Sequence, residues 1–321
     1  ARKAGARGRD VVFGGVGKTV AELVEGLKAG VLLFNVESEQ ELALLDRVAA
    51  ALGKRARVSL RVNPDVDPRT HPAIATGLAQ AKFGIPAARI GEVARLASSL
   101  EHVDLVGLGS QLTDLAPVEE AIDKVRALFE ALRVDGHALT HLDVGGGLGI
   151  DYGTGPVPDV NAYAIMLKRT LKGLDATIVV EPGRALVGEA AVLLTQVLYV
   201  KEGDRKRFVV ADAGMNDLAR PALYDAHHVV EPVAKPRRRR EVVDVVGPLC
   251  ETGDVLARDR ELPVVEPGEL LAVRSVGAYG FAMASNYNAR TRPCEVLVDG
   301  DRFRVIRERE TYRDLVRGET A

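Results

Sequence analysis

The 321-residue chain has few cysteines, almost no net charge and no long apolar segment. Its two cysteines, Cys250 and Cys294, are too few for a disulfide framework, so each is considered singly. A formal net charge of −2 gives no general electrostatic case for nucleic-acid binding. No apolar run reaches the roughly 18–20 residues that cross a bilayer, and no signal peptide is visible. These absences argue against a membrane span and favour a cytoplasmic protein.

Composition also sets the scale of the fold. Hydrophobic residues make up 47% of the chain, and its length allows one large or two ordinary domains. One basic run, Arg237 to Arg240, interrupts the otherwise balanced charge. We interpret it as a solvated loop entering a strand rather than as an anion or nucleic-acid patch, because the charge of the whole chain is balanced.

The first 190 residues alternate apolar strands with amphipathic helices. The predicted strands are near-continuous apolar runs, as expected for strands buried on both faces. They lie at residues 11–15, 31–36, 57–63, 103–108, 140–147 and 177–184. Helices are predicted near residues 39–52, 88–99, 117–133 and 160–172, the first with Ser38 and Glu41 as a capping box. This alternation predicts a parallel α/β sheet, open or closed.

Beyond about residue 190 the pattern becomes mostly β. The strand-like segments are AVLLTQVLYV, KRFVVAD, EVVDVV, ELLAVRSV, CEVLVDG and RFRVIR. The segment VDGDRFRV predicts a hairpin with an Asp-Gly turn, and only residues near 309–316 look helical again. We therefore predict an α/β domain at residues 1–189 and a mostly β domain at residues 190–321.

Residues 14–19, GGVGKT, are similar to a phosphate-binding P-loop between a strand and a helix. A P-loop requires a further glycine five positions before Gly17, where this chain has Val12. Thr19 and Glu22 instead fit a capping box in front of an apolar stripe, and Gly30 fits the helix stop. We therefore interpret GGVGKT as a capped strand–helix turn.

Two consecutive predicted strands end in suggestive sequences, DVGGGLG at residues 143–149 and EPGR at residues 181–184. In (βα)₈ barrels the active face lies at the carboxyl ends of the strands, and the phosphate site often follows the last two strands. The three glycines would let backbone N–H groups approach a phosphate. Glu181 suits a positive ring nitrogen, and Arg184 suits a carboxylate. Alone, GGGLG would also fit a dinucleotide-binding fragment or a tight turn.

The β domain adds three candidate clusters. DAGMNDLARPALY places Arg220 and Tyr224 four residues apart. GPLCETGD sets Cys250 beside Glu251, and GAYGFAMASNYN contains Tyr279. Each has a simpler interpretation, as a surface arginine, a small buried thiol or a core tyrosine. Their co-occurrence in one chain favours a functional site.

Together these motifs resemble the diaminopimelate decarboxylase family, which belongs to the pyridoxal phosphate (PLP)-dependent decarboxylases of alanine-racemase-like fold. The resemblance spans nearly the whole chain, in matching order and spacing. It is carried by FGGVGKT, LFNVES, LRVNPDVDPRTHPAIATG, AKFGI, GSQLTD, LDVGGGLGI, EPGR, DAGMNDLARPALY, GPLCETGD and GAYGFAMASNYN. It implies a PLP-binding (βα)₈ barrel followed by a β domain, and a homodimer with sites shared across the interface. The implied reaction converts meso-2,6-diaminopimelate to L-lysine and CO₂, the last step of lysine biosynthesis.

The resemblance also implies roles for individual residues. The cofactor would be held by Ser110, Gly145, Gly146, Gly147, Glu181, Pro182, Gly183, Arg184 and Tyr279. The substrate would be bound by Arg184, Arg220, Tyr224, Glu251 and Tyr279. Cys250 is implied as the catalytic proton donor and Glu251 as the residue that recognises the distal end of the substrate, both reaching the partner subunit's site. No metal is implied.

The chain departs from the family at two places. The family's cofactor lysine lies at the end of barrel strand one, in a tyrosine-alanine-valine-lysine-alanine-asparagine type of motif that this chain does not contain. Six of the eight barrel strands are visible, because the chain opens just before strand three. Leu108 also runs directly into Gly109, without four family residues that include the histidine stacked on the PLP ring. Because such gaps would expose strand edges and core, we expect the natural protein to contain these residues.

Two alternatives to this function stay open. One is an ornithine- or arginine-type PLP decarboxylase of the same fold, which Glu251 disfavours because ornithine enzymes typically carry aspartate there. The other is a catalytically inactive relative that keeps the interface and a phosphate pocket.

Overall fold

The computed structural model describes residues 1–64, 82–111, 118–155, 159–234 and 237–320. The chain forms two compact units, one of Ala1–Gly149 with Pro158–Pro182 and one of Ile150–Val157 with Gly183–Ala321. The division falls at Pro182 rather than at the predicted residue 189, because EPGR runs directly into a short helix that belongs to the second unit.

The first unit is a parallel sheet with helices between its strands. Its strands are β1 (Val12–Phe13), β2 (Leu33–Val36), β3 (Ala56–Asn63), β4 (Ile85–Pro86), β5 (Val103–Gly109), β6 (His141–Asp143) and β7 (Thr177–Val179). Its helices are α1 (Val20–Ala29), α2 (Glu39–Ala51), α3 (Ile90–Ser99), α4 (Val118–Val134) and α5 (Val160–Thr170). The sheet order is β1-β2-β3-β5-β6-β7, with β4 paired to the end of β3.

All six predicted strands form and pair side by side in chain order, which confirms the parallel α/β architecture. The short strand β4, in the AKFGI segment, was not predicted. The last two strands are shorter than predicted, because β6 ends before the glycines and β7 ends before Pro182. Gly145 and Gly147 have φ of +71° and +91°, outside the β region, so the chain turns there.

The segment GGVGKT leads directly into helix α1. Thr19 and Glu22 form the predicted capping box in both directions, and Gly30 closes the helix in the left-handed conformation with φ of 63°. Leu23 and Leu27 are buried on the inner face of the helix. The segment is therefore a capped strand–helix turn, as the spacing predicted.

The second predicted capping box is only half present. Ser38 Oγ accepts a hydrogen bond from Glu41 N at 3.2 Å, as predicted. The carboxylate of Glu41 does not return to Ser38: it accepts from Lys18 Nζ at 2.6 Å and from Glu37 N at 3.2 Å. A buried ammonium in reach is a stronger partner than a backbone amide, so the long-range contact replaces the local one.

Strand β5 remains paired on both sides where the four family residues are missing. It pairs with β3 from Val103 to Gly109 and with β6 over its last three residues. Ser110 N then donates to Asp143 O at 2.9 Å, which extends the pairing by one residue. The pairing of β5 with β3 shifts register once, at Val106, and Ser110 directly follows the end of the strand.

The second unit is a mostly antiparallel sheet with the order β10-β13-β8-β9-β11-β12. Its strands are β8 (Leu193–Glu202), β9 (Arg207–Ala211), β10 (Val230–Pro232), β11 (Arg240–Val246), β12 (Val255–Pro263) and β13 (Leu270–Val273). A separate hairpin joins β14 (Glu295–Asp299) to β15 (Arg302–Arg307). Three short helices complete the unit, α6 (Gly183–Val187), α7 (Arg220–Tyr224) and α8 (Tyr312–Leu315).

The core of this unit is the apolar face of the six-stranded sheet. It includes Val197, Val209, Val245, Leu256 and Leu271. Two of its strands were missed: β10 is only three residues long, and β12 carries the charged sequence ARDRE in its middle. The charges of β12 are tolerated because it lies at the edge of the sheet, where one side is unpaired.

The basic run at residues 237–240 leads into β11, as predicted. Its arginines form ion pairs with carboxylates of the same unit: Arg238 with Glu269 at 3.0 Å, and Arg240 with Glu261 at 3.2 Å. The predicted hairpin is also present, but its two-residue turn is Gly300-Asp301 rather than the predicted Asp299-Gly300, because Asp299 still pairs with Arg302. Among the described residues, no helix has the length and apolarity needed to traverse a bilayer.

Candidate active site

Three strand ends of the first unit converge on the predicted glycine loop. A side-chain Cβ placed on Gly145 would lie 2.5 Å from Ser110 O, and one on Gly146 would lie 2.7 Å from Glu181 O. Neither space admits a side chain. Glu181 N also donates to Gly145 O at 2.8 Å. The structure thus brings Ser110, Gly145, Gly146 and Glu181 together, although they come from segments after three different strands.

A cavity of about 430 Å³ opens at this end of the sheet. Most of its lining residues lie near or just after the ends of β1, β2, β3, β5 and β7, and Phe83 lies just before β4. The lining residues are Gly14, Gly15, Val16, Asn35, Glu37, Arg61, Phe83, Gly109, Ser110, Gln111 and Glu181. This is the carboxyl end of parallel strands, where barrel enzymes place their ligands.

Several buried polar atoms at this end of the sheet have no partner within the described residues. They are Asn35 Oδ1, Arg61 Nη2 and Ser110 Oγ. Buried polar atoms are rarely left unpaired without a reason, and a bound ligand is one such reason. Together they offer an arginine donor, a hydroxyl and an amide oxygen. This set, beside a glycine loop without room for side chains, fits a phosphorylated, polar ring such as PLP.

Glu181 has an electrostatic position that suits a cationic partner. Burial, followed by the nearby Asp143 carboxylate, raises the pKa of Glu181 to about 7. Its carboxylate accepts a hydrogen bond from a neutral group, because Gln111 Nε2 donates to Oε2 at 2.8 Å. Asp143 also accepts from Gly145 N at 2.9 Å and from Asn35 Nδ2 at 3.1 Å. A cation brought next to Glu181 would stabilise its charged form.

Arg61 and Glu37 line the cavity and were not predicted from the sequence. Arg61 Nη1 donates to Glu37 Oε1 at 2.6 Å, and Glu37 Oε2 accepts from Gly84 N at 2.9 Å. The guanidinium also lies 4.9 Å from the ring centroid of Phe83. The available signal was a charged residue inside the apolar strand RVSLRVN, which is costly unless it is paired.

In the second unit, Arg220 is held by two residues that sequence analysis missed. Arg220 is buried and its guanidinium lies 4.6 Å from the ring centroid of Tyr152. Arg220 Nη1 donates to His228 Nε2 at 2.8 Å, while His228 Nδ1 contacts Arg274 O at 2.8 Å. Burial lowers the pKa of His228 to about 4, so the ring is neutral and Nε2 can accept. The simpler interpretation of Arg220 as a surface arginine is therefore wrong, because its side chain is buried and fixed.

Two other predicted residues lie near cationic groups of this unit. Tyr224 ends helix α7, four residues after Arg220 and therefore on the same side of the helix. The guanidinium of Arg184 lies 5.8 Å from the ring centroid of Tyr279. Tyr279 is half exposed and has a φ of 61°, a backbone strain that is common at functional sites. The simpler interpretation of Tyr279 as a core residue is wrong.

Cys250 and Glu251 lie on an exposed loop between β11 and β12. The buried Asp254 fixes the loop, because its carboxylate accepts hydrogen bonds from Met215 N at 2.6 Å and from Leu249 N at 2.7 Å. Gly247 fits because a Cβ there would lie 2.3 Å from Asp254 Oδ2. The interpretation of Cys250 as a buried thiol is therefore wrong, and Cys294 is half-buried just before β14.

The fold and the glycine-lined cavity define a class of barrel proteins that bind a phosphorylated cofactor. Residues 1–188 match the pyridoxal binding domain of the pyridoxal-dependent decarboxylases. Residues 65–81 and 112–117, which hold parts of three family motifs, lie outside the described residues.

Individual relatives narrow the class. The diaminopimelate decarboxylase of Aquifex aeolicus is 48% identical over 98% of this chain and 76% of its own length. That of Pseudomonas aeruginosa is 50% identical over 97% of this chain and 75% of its own length. The crystal structure of the Helicobacter pylori enzyme complexed with L-lysine superposes with a TM-score of 0.93 at 42% identity, covering 98% of this chain and 80% of the other. The chain belongs to the diaminopimelate decarboxylase family.

Proposed function

We propose that this protein decarboxylates meso-2,6-diaminopimelate to L-lysine and CO₂, the last step of lysine biosynthesis. The observation that carries the proposal is the pair Cys250–Glu251, a thiol and a carboxylate exposed side by side on a loop fixed by Asp254. A substrate with a second ammonium group needs such a carboxylate, and a reaction that leaves a carbanion needs a proton donor. The name shared by the relatives agrees with this assignment.

The first unit would hold the cofactor. Gly145, Gly146 and Gly147, with Ser110, would bind the phosphate through N–H and hydroxyl groups, and Glu181 would face the ring nitrogen. When bound, PLP supplies an electron sink that makes loss of CO₂ from Cα possible. Pro182 and Gly183 would carry the chain from this cradle to Arg184, and Arg184 and Tyr279 would complete the cofactor contacts.

The second unit would hold the substrate. Arg184 and Arg220 offer guanidinium groups that bind carboxylates in a bidentate manner, and Tyr224 adds a hydroxyl. Arg220 is already oriented by His228 and Tyr152, so little freedom is lost on binding. Glu251 would accept from the distal ammonium of the substrate.

Cys250 would return the proton that completes the reaction. CO₂ leaves Cα without the bonding electrons, and Cys250 Sγ gives its proton to the same carbon. The thiol then takes a proton back from solvent, which its exposure allows. Lysine is left with a hydrogen in place of the lost carboxylate.

The working form would be a homodimer in the cytoplasm. Exposed apolar side chains on the second unit support a partner surface, among them Val298, Phe303 and Tyr199, which are 67%, 76% and 68% exposed. The two free cysteines fit a reducing compartment. Mixing a Cys250→Ala variant with a Glu181→Ala variant should restore part of the activity if each subunit supplies one of them to a shared site. Absence of recovery after verified subunit exchange would contradict this arrangement.

A substrate panel tests the function. The full natural protein, supplied with PLP, is assayed for CO₂ release from meso-diaminopimelate, L-lysine, L-ornithine and L-arginine. We expect kcat/KM for meso-diaminopimelate to exceed the others by at least about 100-fold, because only this substrate satisfies all the charged groups. Ornithine or arginine as the best substrate would favour the related decarboxylases. No turnover of any of the four would favour an inactive relative.

A further inference from the structure

Glu251 has a hydrogen-bond partner, Tyr287, for which the sequence suggested no role, although Tyr287 lies in the segment GAYGFAMASNYN. Tyr287 Oη donates to Glu251 Oε2 at 2.6 Å, a short bond to a charged acceptor. The bond to Glu251, together with its charge, raises the pKa of Tyr287, so the phenol keeps its proton and remains a donor. Cys250, which precedes Glu251 in the chain, makes a smaller contribution in the same direction.

The loop that carries Tyr287 is held in an unusual conformation. Asn288 and Ala289, which follow Tyr287, have φ of 56° and 54°, a left-handed geometry that costs energy in residues other than glycine. The loop is anchored at both ends: before Tyr287, Ser285 N donates to Asn216 O at 2.8 Å, and after it, Arg290 Nη2 donates to Asp212 O at 2.5 Å. The strained turn is therefore maintained by contacts on either side of Tyr287.

The bond uses one carboxylate oxygen and leaves the other available. Tyr287 engages Oε2, whereas Oε1 lies towards Gly253, where an added Cβ would be 3.3 Å away. The absence of a side chain at Gly253 keeps the space beside Oε1 clear. Because the phenol of Tyr287 is a neutral donor, it does not cancel the negative charge of Glu251. A lysine or arginine in the place of Tyr287 would cancel that charge.

We propose that Tyr287 is a positioning residue that sets the specificity of the site by directing Glu251 towards the distal ammonium group of the substrate. The inference rests on the proposed role of Glu251. A glutamate side chain turns about three bonds, and one oxygen fixed in advance removes most of that freedom before the ligand arrives. Tyr287 does not touch the reacting carbon in this scheme, so it acts on binding and not on the chemical step.

The test uses Tyr287→Phe in the full natural protein, which removes only the hydroxyl. We expect KM for meso-diaminopimelate to rise about tenfold while kcat changes less than about twofold, the pattern of lost binding that is common to ground and transition states. The inhibition constant of L-lysine should rise by a similar factor, because lysine retains the distal ammonium. The matched control is Tyr312→Phe, an exposed tyrosine in α8, which should leave all three constants unchanged.

A double variant separates this role from a general effect on the loop. Tyr287→Phe should add less than about twofold to the KM of Glu251→Gln, because the two residues act as one unit. Additive effects, or a fall in kcat as large as the rise in KM, would overturn the inference and leave a structural role for Tyr287. An unchanged KM in Tyr287→Phe would also overturn it. If the wild-type protein fails to turn over meso-diaminopimelate, the proposed function fails first, and this inference with it.

Discussion

The buried pair of Lys18 and Glu41 offers the sharpest test of how the cavity wall is held. Lys18 Nζ donates to Glu41 Oε1 at 2.6 Å and to the carbonyl oxygens of Gly15 and Asn35 at 2.7 Å each. The two side chains are 2% and 8% exposed. All three donors of the ammonium are used, and the lysine fixes the loop that contributes Gly14, Gly15 and Val16 to the cavity.

The size of the effect follows from burial. Lys18→Met leaves a buried carboxylate without its counter-ion, which costs about 3–5 kcal/mol of unfolding free energy. Replacing both residues, as in Lys18→Met with Glu41→Met, removes the isolated charge, and such exchanges are often neutral or stabilising by about 1–4 kcal/mol. The carbonyls of Gly15 and Asn35 still lose a donor, at about 1–3 kcal/mol each. The double variant should therefore be more stable than Lys18→Met.

Urea unfolding of the full natural protein measures these free energies. The control is Lys28→Met, which removes an exposed lysine 3.8 Å from Glu25 and should cost less than about 1 kcal/mol. The affinity for PLP gives a second measurement. It should fall in the double variant even where stability is recovered, because the loop has lost its anchor. A loss below about 1 kcal/mol in Lys18→Met, or a double variant less stable than the single one, would refute the reasoning.

Three further predictions follow from the site. Cys250→Ala should lower turnover at least about 100-fold without weakening PLP binding, whereas Cys294→Ala should stay within twofold; equal activities would contradict the proton-donor assignment. Gly146→Ala should weaken PLP binding at least about tenfold, because its Cβ would lie 2.7 Å from Glu181 O, whereas Gly155→Ala meets nothing within 4 Å and should bind normally. Because the pKa of His228 is lowered to about 4, the protein should lose about 3 kcal/mol of unfolding free energy as the pH falls from 6.5 to 4. Over this range the histidine of the unfolded chain binds a proton, whereas the buried histidine of the folded chain stays largely neutral. His228→Gln should lose less over that range in acid-unfolding curves, and an identical pH dependence would contradict the assignment.

The strand order and the glycine loop could be predicted from the sequence because they depend on local rules. Apolar runs buried on both faces mark the strands of the parallel sheet, and glycines at a strand end mark a close backbone approach. The capping box at Thr19 and Glu22 was predictable for the same reason, since it joins residues three positions apart. Edge strand β12 was missed because an edge tolerates charges that a central strand does not.

Contacts between distant segments could not be predicted in this way. Glu41 has the spacing of a capping residue, but its carboxylate is bound by Lys18, 23 positions earlier in the chain. In the sequence His228 is one of two adjacent histidines, and only the structure shows that its Nε2 accepts a hydrogen bond from Arg220. Tyr287 and Glu251 are 36 positions apart. In each case the sequence shows a residue that can form a hydrogen bond or an ion pair, but which residue becomes its partner depends on the tertiary structure.

The charges at the carboxyl end of the parallel sheet explain which kind of ligand fits there. Of the three carboxylates there, Glu37 is paired with Arg61, and Asp143 accepts hydrogen bonds from an amide side chain and a backbone N–H. Glu181 accepts a hydrogen bond from the neutral amide of Gln111, and burial, followed by the charge of Asp143, raises its pKa to about 7. The neighbouring glycine loop is uncharged. A ligand with a phosphate at one end and a cationic nitrogen at the other matches this separation, whereas an anion alone would leave Glu181 protonated. Binding of the cationic end should therefore release a proton near neutral pH, because the carboxylate form becomes the favoured one.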